Sequence, residues 1–161
     1  MDAAHRPSGL DHPWVPKFIR VMSRAQVWMY RKTGGRLGGK WRVGSAFPWG
    51  IPVLLLTTVG RKSGEPKTAP LLYLRDGERI VLVGSQGGLP KHPQWFLNLT
   101  QNPEVKVQIG SRVQKMRARV ANPEEHAALW PRFVDHYSDV ATYQAWTERA
   151  IPLVILERAA E

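Results

Sequence analysis

Eight residues between two apolar runs carry the clearest chemical signal in this chain. They read Gly60-Arg61-Lys62-Ser63-Gly64-Glu65-Pro66-Lys67 and separate the apolar residues 51–59 from residues 69–74. A loop with three cations and two glycines brings backbone N–H groups and positive charge together, an arrangement that binds phosphate or carboxylate. The glycine spacing does not match the Walker pattern, which disfavours a nucleotide triphosphatase. An ordinary hairpin loop whose cations serve solubility remains the alternative.

A second glycine-containing loop follows the next predicted hairpin. Residues 71–75 and 79–83 are separated by Asp76-Gly77, which is typical of a tight hairpin turn. The chain then reads Gly84-Ser85-Gln86-Gly87-Gly88. Two glycine-bearing loops therefore flank one hairpin.

The second loop leads into a short predicted helix. Pro93 suits its first turn, and Asn102-Pro103 ends it. Such a helix start offers free N–H groups to an anion or to the polar edge of a ring.

The remaining segments predict an α+β protein with about six strands and two or three helices. Residues 105–109 and 113–120 predict two strands, and residues 151–156 predict a final one. Asn122 is a good N-cap for a helix that extends to about Tyr137. A further helix is predicted from residue 138 or 139 to residue 150.

Residues 14–31 predict an amphipathic basic helix. Its apolar side chains and its cations recur at helical spacing in two separate stripes. The first contains Trp14, Phe18, Met22 and Ala25, and the second contains Lys17, Arg20, Arg24 and Arg31. Such a helix can lie on an anionic membrane, or its apolar stripe can pack on the protein core, and the sequence leaves both interpretations open.

The Gly-rich residues 33–52 predict a mobile loop without a dinucleotide fingerprint. Trp41 and Trp49 in this loop are candidates to cover a bound ring. We therefore divide the chain into residues 1–50, with the helix and this loop, and a barrel domain of residues 51–161.

The amino-acid composition excludes several kinds of catalytic and metal-binding site. The 161 residues suit one domain with a real core, and the absence of cysteine excludes disulfides and thiolate catalysis. The histidines show no paired metal-ligand spacing, so no metal site is predicted, and no carboxylate pair suggests hydrolysis. A protein without a recognisable acid, base or nucleophile is understandable if a cofactor supplies the reactivity.

The formal charge of +10 and the pI of about 10.4 favour anionic ligands. Seven Trp among 23 Lys and Arg could also stack nucleic-acid bases, but no nucleic-acid-binding motif is present, so no nucleic acid is expected. The sequence has no membrane-spanning stretch or signal peptide, which predicts a cytoplasmic protein with peripheral attachment at the inner membrane face as an option.

Several motifs in order resemble those of the deazaflavin-dependent nitroreductases, actinobacterial reductases that use reduced coenzyme F420. The resemblance extends from about Val53 to Glu157. It is carried by Leu-Leu-Thr-Thr-Val-Gly-Arg-Lys-Ser-Gly, Leu-Tyr-Leu-Arg-Asp-Gly, Gly-Ser-Gln-Gly-Gly, His-Pro-Gln-Trp-Phe-Leu-Asn-Leu, Asn-Pro-Glu-Val-Lys-Val-Gln-Ile and Tyr-Gln-Ala-Trp-Thr-Glu-Arg. It implies a split β-barrel of the flavin-binding type and hydride transfer from the reduced coenzyme to a quinone, an activated alkene or a nitroaromatic compound.

The resemblance also implies a set of coenzyme contacts. The phosphate and tail carboxylates of the coenzyme are expected at Arg61, Lys62 and Lys67, with donors from Ser63 and Gly64 and further charge from Lys91. The deazaflavin ring is expected along Val83, Gly84, Ser85, Gln86 and Gly87, with Trp95 packing beneath the coenzyme.

Ser85, Tyr137 and Tyr143 are the expected catalytic residues, since a hydroxyl group can complete proton delivery. The two tyrosines are alternatively core residues of a helix pair. Leu72, Gln86 and Val140 stand where relatives can carry tyrosine, lysine and tyrosine, which puts the preferred acceptor and any nitroimidazole activity in doubt. A split-barrel protein that binds flavin mononucleotide or haem is an alternative, as is a non-catalytic module that binds anions or nucleic acid.

Overall fold

The computed structural model of the chain describes residue 9 and residues 12–159. Residues 1–8, 10 and 11 of the predicted N-terminal part, and residues 160 and 161 of the predicted barrel domain, lie outside this range. The described strands are β1 (Lys40–Trp41), β2 (Ile51–Val59), β3 (Pro66–Asp76), β4 (Arg79–Val83), β5 (Glu104–Ile109), β6 (Arg112–Val120) and β7 (Leu153–Arg158). The described α-helices are α1 (Val15–Thr33), α2 (Gln94–Gln101), α3 (Pro123–His136) and α4 (Asp139–Ala145).

Strands β2 to β7 close into an antiparallel barrel. They are paired in the order β2-β3-β4-β7-β6-β5, and β2 also pairs with β5. Closing the sheet on itself removes the exposed strand edges that would otherwise pair with other chains. The six barrel strands are those that the sequence predicted, and α1 to α4 fall on segments that the sequence predicted as helices.

The apolar run of β2 serves two cores because neighbouring side chains on a strand point to opposite faces. Leu54 and Leu56 are buried inside the barrel. Val53 and Leu55 pack on the outer face against Val27 of α1. The continuous apolar pattern of this strand therefore reflects burial on both faces.

Tyr30 fastens α1 to the barrel. Its side chain is 2% exposed, and its hydroxyl donates to the Val53 carbonyl at 3.2 Å and accepts from the Gly110 N–H at 2.9 Å. Burial raises the pKa of this phenol. The C-terminal half of α1 is thus packed on the barrel.

The segment predicted as a mobile loop, residues 33–52, contains regular structure. Strand β1 pairs with β2, and a 3-10 helix spans Gly44–Ala46. The Ser45 N–H donates to the buried carboxylate of Asp139 at 2.8 Å, and Ala46 is buried. This segment is therefore held against the start of α4.

The last helix is shorter than the sequence predicted. We expected it to reach Ala150, but α4 ends at Ala145 and β7 begins at Leu153. The Gln144 amide donates to the Arg149 carbonyl and accepts from the Ile151 N–H, both at 2.9 Å. These bonds offer the backbone an alternative to further helical turns.

Candidate functional site

A groove of about 950 Å³ lies between α1, the loop that joins β2 to β3, and α2. We call it the cation groove because, among the described residues, seven Lys and Arg and no carboxylate line it. These are Arg20, Arg24, Arg31 and Lys32 of α1, with Arg61, Lys62 and Lys67 from the loop and the start of β3. Such a lining fits an elongated ligand with several negative charges.

Two glycines give the β2–β3 loop its tight shape. A Cβ atom at Gly60 would lie 2.8 Å from the Ser63 Oγ and 3.1 Å from the Glu65 carbonyl oxygen. Gly64 has φ of 69°, and its N–H donates to the Gly60 carbonyl at 2.7 Å. The left-handed backbone at Gly64 favours glycine over other residues. Ser63 lines the groove, whereas Gly64 shapes the loop beside it.

Asn98 is a site residue that the sequence analysis missed. Its side-chain oxygen accepts from the Arg61 backbone N–H at 3.2 Å and from the Arg61 guanidinium at 3.1 Å. Its amide nitrogen donates to the buried Thr58 hydroxyl at 3.1 Å. Asn98 is 4% exposed and therefore fixes Arg61 from within the core. An asparagine on the apolar side of a short helix was the available signal.

The contribution of α1 to the groove was also missed. The sequence left membrane contact and packing on the core both open for this helix and did not connect its cations with the β2–β3 loop, but Arg20, Arg24 and Arg31 line the groove. Arg31 also donates to the Thr68 hydroxyl of β3 at 2.9 Å. Helical spacing indicated that these cations share a face, but it did not indicate what that face opposes.

The apolar stripe of α1 faces the other way. Trp14, Phe18 and Met22 are 55%, 56% and 54% exposed, whereas Val27 and Tyr30 are buried against β2. The interpretation that this stripe packs on the barrel is therefore wrong. Within the described residues, no helix is both long and apolar enough to traverse a bilayer.

Trp95 joins the cation groove to the barrel core. It lines the groove yet is only 9% exposed, and it packs edge-on against Phe96. Val27, Trp28 and Ala69 also line the groove, so it offers apolar surface beside its cations.

The second predicted loop lies away from the cation groove, whose lining includes neither Lys91 nor residues 83–87. It packs against α4 instead, where a Cβ atom at Gly88 would lie 2.8 Å from the Tyr143 carbonyl oxygen. Gly84 is buried, Ser85 is half-buried, and Gln86 is exposed. Lys91 is exposed and lies three residues before Gln94, which does line the groove.

The two loops leave the sheet at different points along β3. The β2–β3 loop meets β3 at its first residue, Pro66. In the pairing of β3 with β4, Tyr73 lies opposite Leu82, so the second loop leaves β4 near the middle of β3. At about 3.3 Å per strand residue, the loops are separated by roughly 20 Å along β3. The segment from Ser85 to Gln94 spans this interval.

Tyr137 and Tyr143 form a hydroxyl pair next to the second loop. Their oxygens are 3.2 Å apart. Tyr137 is 2% exposed, and its hydroxyl also accepts from the Trp41 indole N–H at 3.3 Å. Burial raises the pKa of both phenols, and the nearby Asp139 adds to this effect. Both tyrosines are therefore protonated at neutral pH.

The tyrosine pair and α1 are joined through shared packing. Trp41 and Leu72 each pack against both the Tyr137 cluster and the cluster that contains Tyr30. Val140 is completely buried. Trp49, the other candidate ring cover, is 86% exposed.

The site fits a cofactor with an anionic tail and a ring. The cation groove matches the tail because its charged lining is entirely positive. Near the second loop, the buried indole nitrogen of Trp146 has no hydrogen-bond partner, and its ring packs against Tyr143. A buried donor without a partner can be satisfied by a ligand oxygen.

This closed barrel, with a cation groove and buried hydroxyl groups, has the features of a small cofactor-binding protein. Residues 22–158 match the model of the F420H(2)-dependent quinone reductase family. Rv3178 of Mycobacterium tuberculosis is 47% identical over 115 residues, which cover 71% of this chain and 97% of the relative. F420H(2)-dependent quinone reductase Rv1261c of the same organism is 35% identical over 149 residues, which cover 90% and 96% of the two chains.

A solved structure of an F420-H2 dependent reductase has a TM-score of 0.61 and 40% sequence identity. The match covers 66% of this chain and 94% of the other. The predicted split-barrel fold is confirmed.

The chain belongs to the F420H(2)-dependent quinone reductase family. It is therefore an oxidoreductase whose cofactor is reduced coenzyme F420, as the resemblance implied.

Proposed function

We propose that this protein transfers hydride from reduced coenzyme F420 to a quinone, with the coenzyme extended from the cation groove to the Ser85 loop. When bound, the coenzyme supplies the hydride, and the protein supplies binding, orientation and exclusion of water. The observation that carries the proposal is the all-cation lining of the groove in a member of this family.

The tail and phosphate would be held by cations from two elements. Arg61, Lys62 and Lys67 approach from the β2–β3 loop, and the α1 cations approach from the opposite side. Asn98 keeps the Arg61 guanidinium in place, which lowers the entropy lost on binding. Ser63 adds a hydroxyl donor, while Gly64 permits the loop to turn. Lys91 adds charge between the two ends.

The ring would lie near Val83, Gly84, Ser85, Gln86 and Gly87. Ser85 belongs to this segment, Tyr143 packs against it at Gly88, and both side chains are half-buried. Tyr143 would donate a proton to the reduced acceptor, because burial keeps its phenol protonated. Tyr137 would act through its hydrogen bond to Tyr143, since it is itself buried. Trp95 would support the coenzyme from the groove side.

The direct test is anaerobic turnover of the purified protein. Reduced coenzyme F420 is mixed with a water-soluble benzoquinone or naphthoquinone, and the visible band of the oxidised deazaflavin is followed. Quinone-dependent oxidation at catalytic protein concentrations is expected. Turnover with nitroaromatic compounds but with no quinone would overturn the choice of acceptor.

The alternative cofactors are tested by binding. Quenching of tryptophan fluorescence is expected with coenzyme F420 at lower concentration than with flavin mononucleotide or haem. Tighter binding of either alternative would favour the other split-barrel functions.

We also propose that α1 contacts an anionic membrane surface through its exposed apolar stripe. Trp14, Phe18 and Met22 are each more than half exposed, and no acidic residue occurs from residue 12 to residue 64. Charge complementarity therefore favours an anionic surface over a neutral one, and the exposed apolar side chains suit the interface of a bilayer. A quinone dissolved in that bilayer would then lie close to the enzyme.

A further inference from the structure

Arg149 lies in the turn between α4 and β7 and donates to three acceptors on one segment of the chain. Its Nη2 donates to the Ser85 carbonyl at 2.8 Å, and its Nε donates to the Leu89 carbonyl at 3.0 Å. Its Nη1 lies 3.3 Å from the His92 Nδ1. A guanidinium has no acceptor, so this ring nitrogen must be the unprotonated one. The three contacts span the chain from the second loop to the residue before Pro93.

Among the described residues, no carboxylate forms an ion pair with Arg149. The side chain is half-buried, and burial lowers its pKa. A cation that is partly removed from water needs compensating hydrogen bonds. Here neutral acceptors supply them, so the side chain braces the backbone and does not neutralise an acid.

The segment that Arg149 holds has an unusual backbone. Gln86, Gly87 and Gly88 have φ of 46°, 61° and 74°, three left-handed residues in succession. Glycine adopts this backbone freely, whereas the left-handed Gln86 persists only where the surrounding structure fixes it. Gly84 is also confined, because a Cβ atom there would lie 2.9 Å from the Pro152 Cγ. Arg149 bonds to both sides of the left-handed run, at Ser85 and at Leu89.

The same segment connects the two ends of the proposed coenzyme site. It begins at Ser85, beside the tyrosine pair, and reaches α2, whose residues Gln94, Trp95 and Asn98 line the cation groove. The His92 ring packs against Phe96 of α2 at 4.8 Å between centroids. The Arg149 contact to His92 therefore reaches the start of this helix.

We propose that Arg149 is a positioning residue that fixes the Ser85 loop relative to α2 and so sets the ring alignment for hydride transfer. This rests on the proposed function. Arg149 bonds to none of the groove cations, so the tail is expected to bind nearly as before while the ring is misplaced. Since a displacement of about 1 Å can cost roughly 100-fold in rate, the effect falls on kcat more than on affinity.

The test compares Arg149→Met and Arg149→Lys with the wild-type enzyme and with Arg117→Met. Arg117 of β6 forms an exposed pair with Glu104 of β5 and is not among the residues that Arg149 contacts. Single-turnover oxidation of the reduced coenzyme is measured together with its Kd. A rate loss of about tenfold to 100-fold with a Kd within about threefold of wild type is expected for Arg149→Met. Arg149→Lys is expected to recover little, because one ammonium cannot reproduce the guanidinium fork.

A second test of Arg149 measures backbone mobility and does not need the coenzyme. Hydrogen–deuterium exchange of the unliganded variants is expected to rise in residues 84–94 and to stay unchanged in the barrel strands. Unchanged exchange there, or equal losses in rate and affinity, would overturn the positioning role. A wild-type enzyme without turnover would overturn the proposed function, whereas an active wild type with an unaffected Arg149→Met would overturn this assignment alone.

Discussion

Asn98 shows how one buried polar side chain can determine the geometry of an exposed charge. It satisfies the Arg61 backbone, the Arg61 guanidinium and the Thr58 hydroxyl together. A buried polar group is stable only while such partners are present. The position of the Arg61 charge in the groove is thus specified from inside the barrel.

Replacing Asn98 with leucine is expected to affect both stability and binding. The change leaves the Arg61 N–H and the Thr58 hydroxyl without their partner, which costs about 1–3 kcal/mol. The Kd for coenzyme F420 is expected to rise several-fold as Arg61 loses its fixed position. Urea unfolding and fluorescence titration measure the two effects. Asn102→Ala, which removes only a contact to the Glu104 N–H at 3.3 Å, is the matched control.

Replacing Tyr137 and Tyr143 with phenylalanine, one at a time, is expected to have different effects. Tyr143→Phe removes the half-buried hydroxyl near Ser85, so turnover or acceptor preference should change more than coenzyme affinity. Tyr137→Phe removes the acceptor of the Trp41 N–H, so it should lower the free energy of unfolding by about 1 kcal/mol. Steady-state kinetics with several quinones, combined with urea unfolding, distinguishes the effects. Identical kinetics of Tyr143→Phe and wild type for every acceptor would place Tyr143 in the core alone.

At the scale of elements, α1 presents different chemistry on each side. Its cations face the groove, its buried residues face β2, and its apolar stripe faces outward. A helix whose faces have three different environments cannot be interpreted from one hydrophobic stripe. The proposed role in coenzyme binding rests on the groove side.

Charge reversal on α1 tests this role within a single helix. Arg24→Glu with Arg31→Glu is expected to raise the Kd for coenzyme F420 by about tenfold, because two attractive charges become repulsive. Lys17→Glu is the control, since Lys17 lies on α1 but does not line the groove. Titrations at two salt concentrations should show a weaker salt dependence for the double variant. Equal effects of the double variant and of Lys17→Glu would indicate only a general loss of positive charge.

An ion-pair network holds α3 to the barrel and makes stability depend on pH. Arg119 donates to Glu125 at 2.7 and 2.8 Å and to Glu157 at 3.0 Å. These bonds lower the pKa of the Glu125 carboxyl to about 2, below its ordinary value of 4.5. Bonds from Arg132 and Arg79 likewise lower the pKa of Asp76. Because the unfolded carboxyl groups bind protons first, this stabilisation is present above pH 4.5 and is lost as the pH falls towards 2.

Glu125→Gln is expected to flatten the acid limb of the stability curve. The glutamine oxygen can still accept from the Asn122 N–H, so the capping box remains while the charge pair is lost. Urea unfolding between pH 2 and 6 checks this. Glu124→Gln is the control, because Glu124 lies in the same first turn of α3 but forms no ion pair with the described residues. An unchanged acid limb in Glu125→Gln would assign the pH dependence to other carboxyl groups.

The sequence predicted the barrel well because its strands and turns are local patterns. Asp76-Gly77 and the Asn122 cap fell where expected, and the β2–β3 loop lines a groove. The predicted end of the last helix at Ala150 was wrong because the Gln144 side chain bonds to the backbone of Arg149 and Ile151, and these contacts form only in the folded protein. Asn98, Arg149 and the groove cations of α1 were missed for the same reason, since each depends on partners far away in the chain. Local spacing cannot indicate such partners.

At the scale of the whole molecule, the charge is strongly asymmetric. Residues 12–64 contain ten Lys and Arg and no acid, while the remainder of the chain has thirteen of each sign. The net charge therefore resides in α1, the following glycine-rich segment and the start of the β2–β3 loop. This concentration serves the groove and also leaves Lys17 and neighbouring cations for other anions.

Membrane contact through α1 is expected to depend on both its apolar stripe and the lipid charge. Wild-type protein should sediment with vesicles of phosphatidylglycerol and phosphatidylcholine, and binding should fall with added salt. Phe18→Ser with Met22→Ser should reduce vesicle binding by about tenfold or more, because two apolar side chains no longer enter the interface. Val113→Ser, which alters a 59% exposed side chain on β6, is the control. Since Arg20, Arg24 and Arg31 line the groove, the double serine variant should retain its affinity for coenzyme F420. Equal binding to uncharged vesicles, or self-association of the protein that the same variant abolishes, would contradict the membrane assignment of this face.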